Sequence, residues 1–309
     1  MKKLFLFISQ LVVVTLACDL SINITPTDNT AVPQPTNTTV PIVETSTDVP
    51  VSTTAVPATA VPSETSTSPL PPTDGMQVFF RPLSFVLPTG LASGISGEQI
   101  ERADGSDVPS WGLTPGHTVI NLEGYLLQGK FHDAQIYVYP ATAYVEMYNG
   151  AFESIHRLDN ILYGPNGVDV NQPLPAIPFF NAQQVFASNV QALSFQGGGG
   201  VRFLTEYAQY PASVNNHDLF YEFQGLSRDG AYYIIAIFPI TVPVVADTSD
   251  GGAPLPPGGV AYPDISSSNP DFPKYYASIT DLLNGTSPDV FSPTISTLDA
   301  LIQSIQIIP

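Results

Sequence analysis

Between residues 19 and 75 the chain carries no Lys, Arg, Phe, Trp or Tyr, and Thr, Pro, Ser and Val dominate. Val-Pro recurs at Val32-Pro33, Val40-Pro41, Val49-Pro50, Val56-Pro57 and Val61-Pro62. Such a segment has too little apolar surface to offset the entropy of ordering its backbone. Its spaced prolines favour extended polyproline II at about 3.1 Å per residue. The sequence therefore predicts a disordered Thr/Pro/Ser-rich stalk after Cys18, over residues 18–75, with a reach on the order of 170 Å if fully extended. Any packed core is confined to residues 76–309.

Ahead of the stalk, Met1-Lys2-Lys3 precedes a run from Leu4 to Ala17 that is apolar except at Ser9, Gln10 and Thr15. A positive start, an apolar stretch of about 7–15 residues and a small residue before the cut define an export signal. The run falls short of the ~20 residues a membrane-spanning helix needs. Val14-Thr15-Leu16-Ala17-Cys18 resembles the lipobox of bacterial lipoproteins. That resemblance implies a signal peptide over residues 1–17, and Cys18 as the new N-terminus bearing a diacylglycerol thioether. Two or three acyl chains hold a protein stably on a membrane, where one alone is marginal. Cys18 is the single cysteine of the chain, so no disulfide is expected within the mature protein despite export. The expected location is outside the cytoplasmic membrane or at the cell surface, with the membrane itself as one partner.

Residues 76–309 differ in kind. Aromatic and branched aliphatic residues appear, and the length suits one α+β domain with a substantial core. Seven basic residues stand against 21 acidic ones in this part, which disfavours nucleic acid and anionic head groups as partners.

Several elements are legible. Gln77–Leu87 reads as a strand interrupted by Pro82, suiting an edge or a bulge. His117–Leu127 alternates, and Gln135–Tyr139 is a short apolar strand stopped by Pro140. Ala141–Leu162 changes period: Tyr144, Val145, Tyr148, Phe152, Ile155, Leu158 and Ile161 recur at three- and four-residue steps, predicting one amphipathic helix with a tolerated or kinking Gly150. Val190–Tyr207 reads as two strands around Gly197–Gly200. Leu219–Gly225 and Ala231–Phe238 form a second hairpin through Asp229-Gly230. Tyr232–Phe238 is apolar throughout, as an interior strand requires. Asn269-Pro270 is expected to start a helix running to Asn284, with Phe272, Tyr276, Ile279 and Leu283 inward. Ser292-Pro293 is expected to start the last helix, striped by Ile295, Leu298, Leu301, Ile302 and Ile305. The expected architecture is a mostly antiparallel sheet with helices packed on both faces.

Val201-Arg202-Phe203-Leu204, Tyr221–Leu226, Asp229–Tyr233 and Leu298–Ile305 resemble segments of uncharacterised bacterial lipoproteins with Thr/Pro-rich stalks. The order of a hairpin followed by closing helices is similar to the PsbP-like α-β-α sandwich. That similarity is one of topology and carries over no catalytic residue.

Chemistry-bearing motifs are sparse. His117, His132, His156 and His217 form neither H-x-H nor H-E-x-x-H, and no second cysteine is present for thiolate zinc. Ser93-Gly94 and Ser96-Gly97 lack the G-x-S-x-G spacing of a nucleophile elbow. Gly197–Gly200 precedes a strand rather than the helix a phosphate loop needs. Asp247–Gly252 lacks the alternating ligands and distal Glu of an EF-hand loop. No metal and no cofactor is expected, and no catalytic residue is assigned. The long irregular stretch Pro239–Asn269 stands out, since ordered loops beyond about 15 residues are often functional. Val244, Val245 and Tyr262 within it, with Trp111 from the Gly105–Gly116 loop, form the candidate binding surface. The sequence thus points to a non-enzymatic binding module for a protein, peptide or envelope polymer. A surface hydrolase with an unrecognised site and an accessory or assembly factor for a membrane complex are the alternatives.

Overall fold

The computed structural model describes residues 74–165, 167–250 and 253–308. The signal segment, Cys18 and nearly all of the stalk lie outside the described residues. None of the described helices is long and apolar enough to cross a membrane.

The domain is mixed α and β, and its strands pair almost entirely antiparallel. Strands β3 (Gly94–Ile100), β4 (His117–Glu123) and β5 (Gln135–Pro140) make one meander. Strands β6 (Gln183–Phe195), β7 (Gly198–Ala208), β8 (Phe220–Ser227) and β9 (Tyr232–Pro239) make a second. Pairing of β5 with β9 fuses them into a seven-stranded sheet of order β3-β4-β5-β9-β8-β7-β6. Strands β1 (Gly75–Phe80), β2 (Leu83–Pro88) and β10 (Gln306–Ile307) form a separate three-stranded sheet. Helices α1 (Ala141–Met147) and α2 (Asn149–Tyr163) link the meanders, and α3 (Phe272–Gly285) and α4 (Ile295–Gln303) follow β9.

Strand β9 explains how the core is organised. It has a strand on each side, and its residues are buried along almost its whole length. Because side chains alternate along a strand, Ile234, Ala236 and Phe238 join one cluster, with Tyr275, Ile279 and Leu283 of α3, Leu298 and Leu301 of α4, and Leu83 and Phe85 of β2. Tyr233, Ile235 and Ile237 join the other, with Tyr144 of α1 and Leu158 and Ile161 of α2.

Four expectations need correction. Gln77–Leu87 is a hairpin, not one strand: Pro82, without an N–H to donate, sits in the turn between β1 and β2. The helix expected over Ala141–Leu162 is broken at Tyr148, whose backbone is extended at φ −147° and ψ 123°. Gly150 makes room for that break, because a Cβ there would stand 2.5 Å from the Tyr148 ring. Phe152 is half exposed and stacks on His156 at 5.9 Å, outside the buried stripe. Helix α3 is capped by Asp271, which accepts from the Lys274 amide at 3.0 Å, rather than at Asn269-Pro270, and it buries Tyr275 in place of Phe272 or Tyr276. The final helix keeps its predicted stripe and takes Thr294, just past Ser292-Pro293, as its cap.

The glycine run is largely strand. Gly197 holds the turn at φ 95°, while Gly198, Gly199 and Gly200 begin β7. Gly200 lies opposite Gly225, and the Phe223 ring covers both. A Cβ on Gly200 would stand 2.3 Å from the Gln224 carbonyl oxygen and 2.4 Å from that ring. Gly200→Ala is therefore expected to lose about 1–3 kcal/mol, the scale of an overpacked core, read as a lower urea midpoint with an unchanged slope.

Candidate functional site

Two irregular segments meet beside α3: residues 208–219, between β7 and β8, and residues 240–271, between β9 and α3. Two buried asparagines lock them. Asn216 Nδ2 donates to the Val242 and Val245 carbonyls at 3.0 and 3.1 Å, and its Oδ1 accepts from the Val242 amide at 2.8 Å. A side-chain amide offers both donors and an acceptor, so one residue satisfies three backbone groups that a loop would otherwise bury unpaired. Asn215 Nδ2 reaches Glu206 Oε1 at 3.0 Å and Asp218 Oδ2 at 2.9 Å, while its own amide donates to Glu206 Oε2 at 3.2 Å.

Three tyrosines then fasten residues 211–214. Tyr262 Oη donates to the Pro211 carbonyl at 2.5 Å and Tyr276 Oη to the Ala212 carbonyl at 2.9 Å. Tyr275 Oη accepts from the Val214 amide at 3.0 Å. The Tyr262 ring packs at 5.2 Å, edge to face, on Tyr275 and at 5.8 Å on Phe272. With their hydroxyls committed to the backbone, these residues contribute mainly ring carbon to their surroundings.

The result is a groove of about 800 Å³, lined mostly by apolar atoms. Val244, Val245 and Tyr262, picked from the sequence, all line it. Trp111 does not: it is 45 % exposed on a single 3₁₀ turn between β3 and β4. Sequence reasoning missed Tyr275 and Ile279 of α3, the 210–214 wall, and the rim residues Leu255 and Ile265, which are 54 % and 72 % exposed. Two exposed apolar side chains in one Pro/Gly-rich stretch were the available signal.

The carboxylates among the described lining residues of the groove are Asp250 and Asp264. Hydrogen bonds from the Ser266 hydroxyl and amide hold the Asp264 carboxyl below its ordinary range. A groove so lined suits an apolar body that is neutral or positively charged.

The histidines occupy separate settings. His117 is buried, stacked on Tyr139 at 4.3 Å with Nδ1 2.8 Å from the Pro115 carbonyl oxygen, and burial lowers its pKa. His156 is exposed on α2 and bonded to Asn160 at 3.1 Å. His217 pairs with Asp218 at 2.5 Å. His132 sits among aromatic rings, and burial pushes its pKa down to about 4. Among the described residues, no three His, Cys, Asp or Glu side chains converge as metal ligands would.

Two carboxyls are buried in the sheet. Glu206, 1 % exposed, is pushed well above its ordinary range by burial, opposed by the Asn215 amide. Glu222 is wholly buried and pushed up to about 8 by burial. Its Oε1 accepts from Gln224 and its Oε2 has no partner. Both acids belong to the packed strands and neither lines the groove.

No family model matches the chain, and neither a curated protein nor a solved structure is detectably similar to it.

Proposed function

We propose that the chain is a lipid-anchored binding module outside the cell, held at the membrane by acylated Cys18 and carried outward by its Thr/Pro-rich stalk. Its folded domain takes an apolar, neutral or cationic segment of a protein, peptide or envelope polymer into the Tyr262 groove. The groove is the observation that carries this reading: about 800 Å³, within the range of ligand sites, with mostly apolar walls braced by Asn215, Asn216 and three tyrosines. Binding is favoured because the described lining residues are mostly aliphatic and aromatic, with the carboxylates of Asp250 and Asp264 among them. We read the domain further as an α-β-α sandwich with helices on both faces, which the alternate burial of β9 residues in two clusters supports. The PsbP-like similarity is kept as one of topology.

Thermal unfolding of the purified chain against cationic and neutral amphiphiles and apolar peptides tests the reading. A ligand at 100 times its dissociation constant adds about 2.7 kcal/mol, or roughly 5–10 °C for a domain of this size. Anionic amphiphiles of equal chain length are expected to give smaller shifts. A flat panel across all three charge classes would contradict the reading.

A further inference from the structure

Residues 208–212 separate the groove from a second cavity of about 380 Å³ at the same end of the sheet, with Tyr210 and Ala212 common to both. The second cavity has a different chemistry. One wall is a continuous run of rings: Phe131 on His132 at 4.9 Å, His132 on Phe180 at 5.2 Å, and Phe180 on Tyr207 at 4.6 Å. Its acidic lining comes from Glu206 and Asp218, which share the Asn215 side chain. Among the described residues, no lysine or arginine lines it.

Ring faces carry the negative lobe of the aromatic quadrupole, and they draw an organic cation most strongly where water is displaced. The Asp218 carboxylate beside the rings adds attraction of the same sign. We infer that this cavity is a cation cage for a small trimethylammonium compound of the choline type, a site separate from the Tyr262 groove. The space exceeds what a metal ion fills, and five of its lining residues, Phe131, His132, Phe180, Tyr207 and Tyr210, are aromatic. Burial keeps His132 neutral at physiological pH, so the wall contributes no opposing charge. The lack of a basic lining residue favours free choline over a phosphate-bearing head group carrying the same ammonium. Phe131, 66 % exposed, is the most solvent-facing ring of the wall together with Tyr210.

The inference does not depend on the groove binding anything. Its test is an NMR titration of the full chain with choline, with the neutral isostere 3,3-dimethyl-1-butanol, and with phosphocholine, at constant ionic strength. Choline is expected to bind saturably, at least tenfold more tightly than the neutral isostere, a difference of about 1.4 kcal/mol. Phosphocholine is expected to bind more weakly than choline; equal binding would move the assignment to a head group and overturn the preference for the free compound. Phe131→Ala is expected to weaken choline at least fivefold with an unchanged melting temperature, since the ring is mostly in solvent. Asp218→Asn is expected to weaken choline while sparing the neutral isostere. Equal affinities for choline and the neutral isostere, no saturation by choline, or full affinity in Phe131→Ala would each overturn the cage.

Discussion

Asp299→Ala is expected to lower the stability of the domain by about 3–5 kcal/mol, the scale of removing one partner from a buried ion pair. Arg202 on β7 is 5 % exposed. Its guanidinium meets the Asp299 carboxylate of α4 twice, from Nε and Nη2, each at 3.1 Å. Nη2 also reaches Gln191 at 2.7 Å, and Nη1 donates to the Asn189 carbonyl in the bulged part of β6. Tyr221 Oη donates to the same carboxylate at 2.9 Å. Alanine at 299 leaves a buried guanidinium without its counter-charge and a buried phenol without its acceptor, and each loss is felt in full because water cannot replace the partner. Paired replacement by apolar residues, Arg202→Met with Asp299→Leu, is expected to recover much of the loss. Urea unfolding of Asp299→Ala, and of Arg202→Met, Asp299→Leu and their double taken as a cycle, checks this. A loss below about 1 kcal/mol in Asp299→Ala would show that the pair is solvent-screened and contributes as little as a surface pair does.

Glu222→Gln should gain stability over the wild type as pH rises from about 5 to 8. The carboxyl has its ordinary value near 4.5 in the unfolded chain and about 8 in the fold. Below the lower value both states are protonated, and the protonated form suits a buried site. Between the two values the unfolded chain loses its proton while the fold retains it, so unfolding becomes easier by about 1.4 kcal/mol per pH unit. Above the upper value both states are ionised and the decline stops. Glu206 is raised in the same direction, while His132 and His117, lowered by burial, act oppositely below about pH 6.5, so these groups set the slope that remains in the variant. Glutamine is nearly isosteric and cannot ionise, hence the variant should gain on the wild type steadily across the window. Denaturant unfolding at four pH values between 5 and 8 measures both lines. Parallel lines for wild type and Glu222→Gln would show that Glu222 does not hold its proton in the fold.

Elements governed by near neighbours were legible in the sequence. The β6–β7 and β8–β9 hairpins announce themselves through Gly197 and Asp229-Gly230, and the stripe of α4 through its three- and four-residue spacing. The break at Tyr148 was not legible, because it depends on a ring lying over Gly150 rather than on any helix-breaking residue. Nor was the β5–β9 pairing, which joins residues about 100 apart and leaves no local pattern.

The site divided along the same line. Val244, Val245 and Tyr262 stood out as apolar residues in a long irregular stretch, and they do line one groove. Trp111 stood out for the same reason and lies elsewhere, since a lone aromatic says nothing about which loop it meets. Asn215 and Asn216 drew no attention. Asn216 satisfies backbone groups of Val242 and Val245, far along the chain, and Asn215 ties Glu206 to Asp218; a polar residue with such a buried role looks in sequence like one that faces water. Nothing in the sequence marks the setting of His132, which packs on the Phe180 and Phe220 rings at 5.2 and 4.4 Å.

The central claim is that the Tyr262 groove receives an apolar ligand. The most direct measurement is a fluorescence titration of the chain with the neutral probe N-phenyl-1-naphthylamine, comparing wild type with Leu255→Asp/Ile265→Asp. Both side chains are mostly in solvent on the rim of the groove, so the paired variant should melt with the wild type. The wild type should give saturable emission, and the variant at least a tenfold loss of affinity, consistent with removing about 1.5 kcal/mol or more of apolar contact. Equal affinity in the two proteins, or no saturable binding in the wild type, would contradict it.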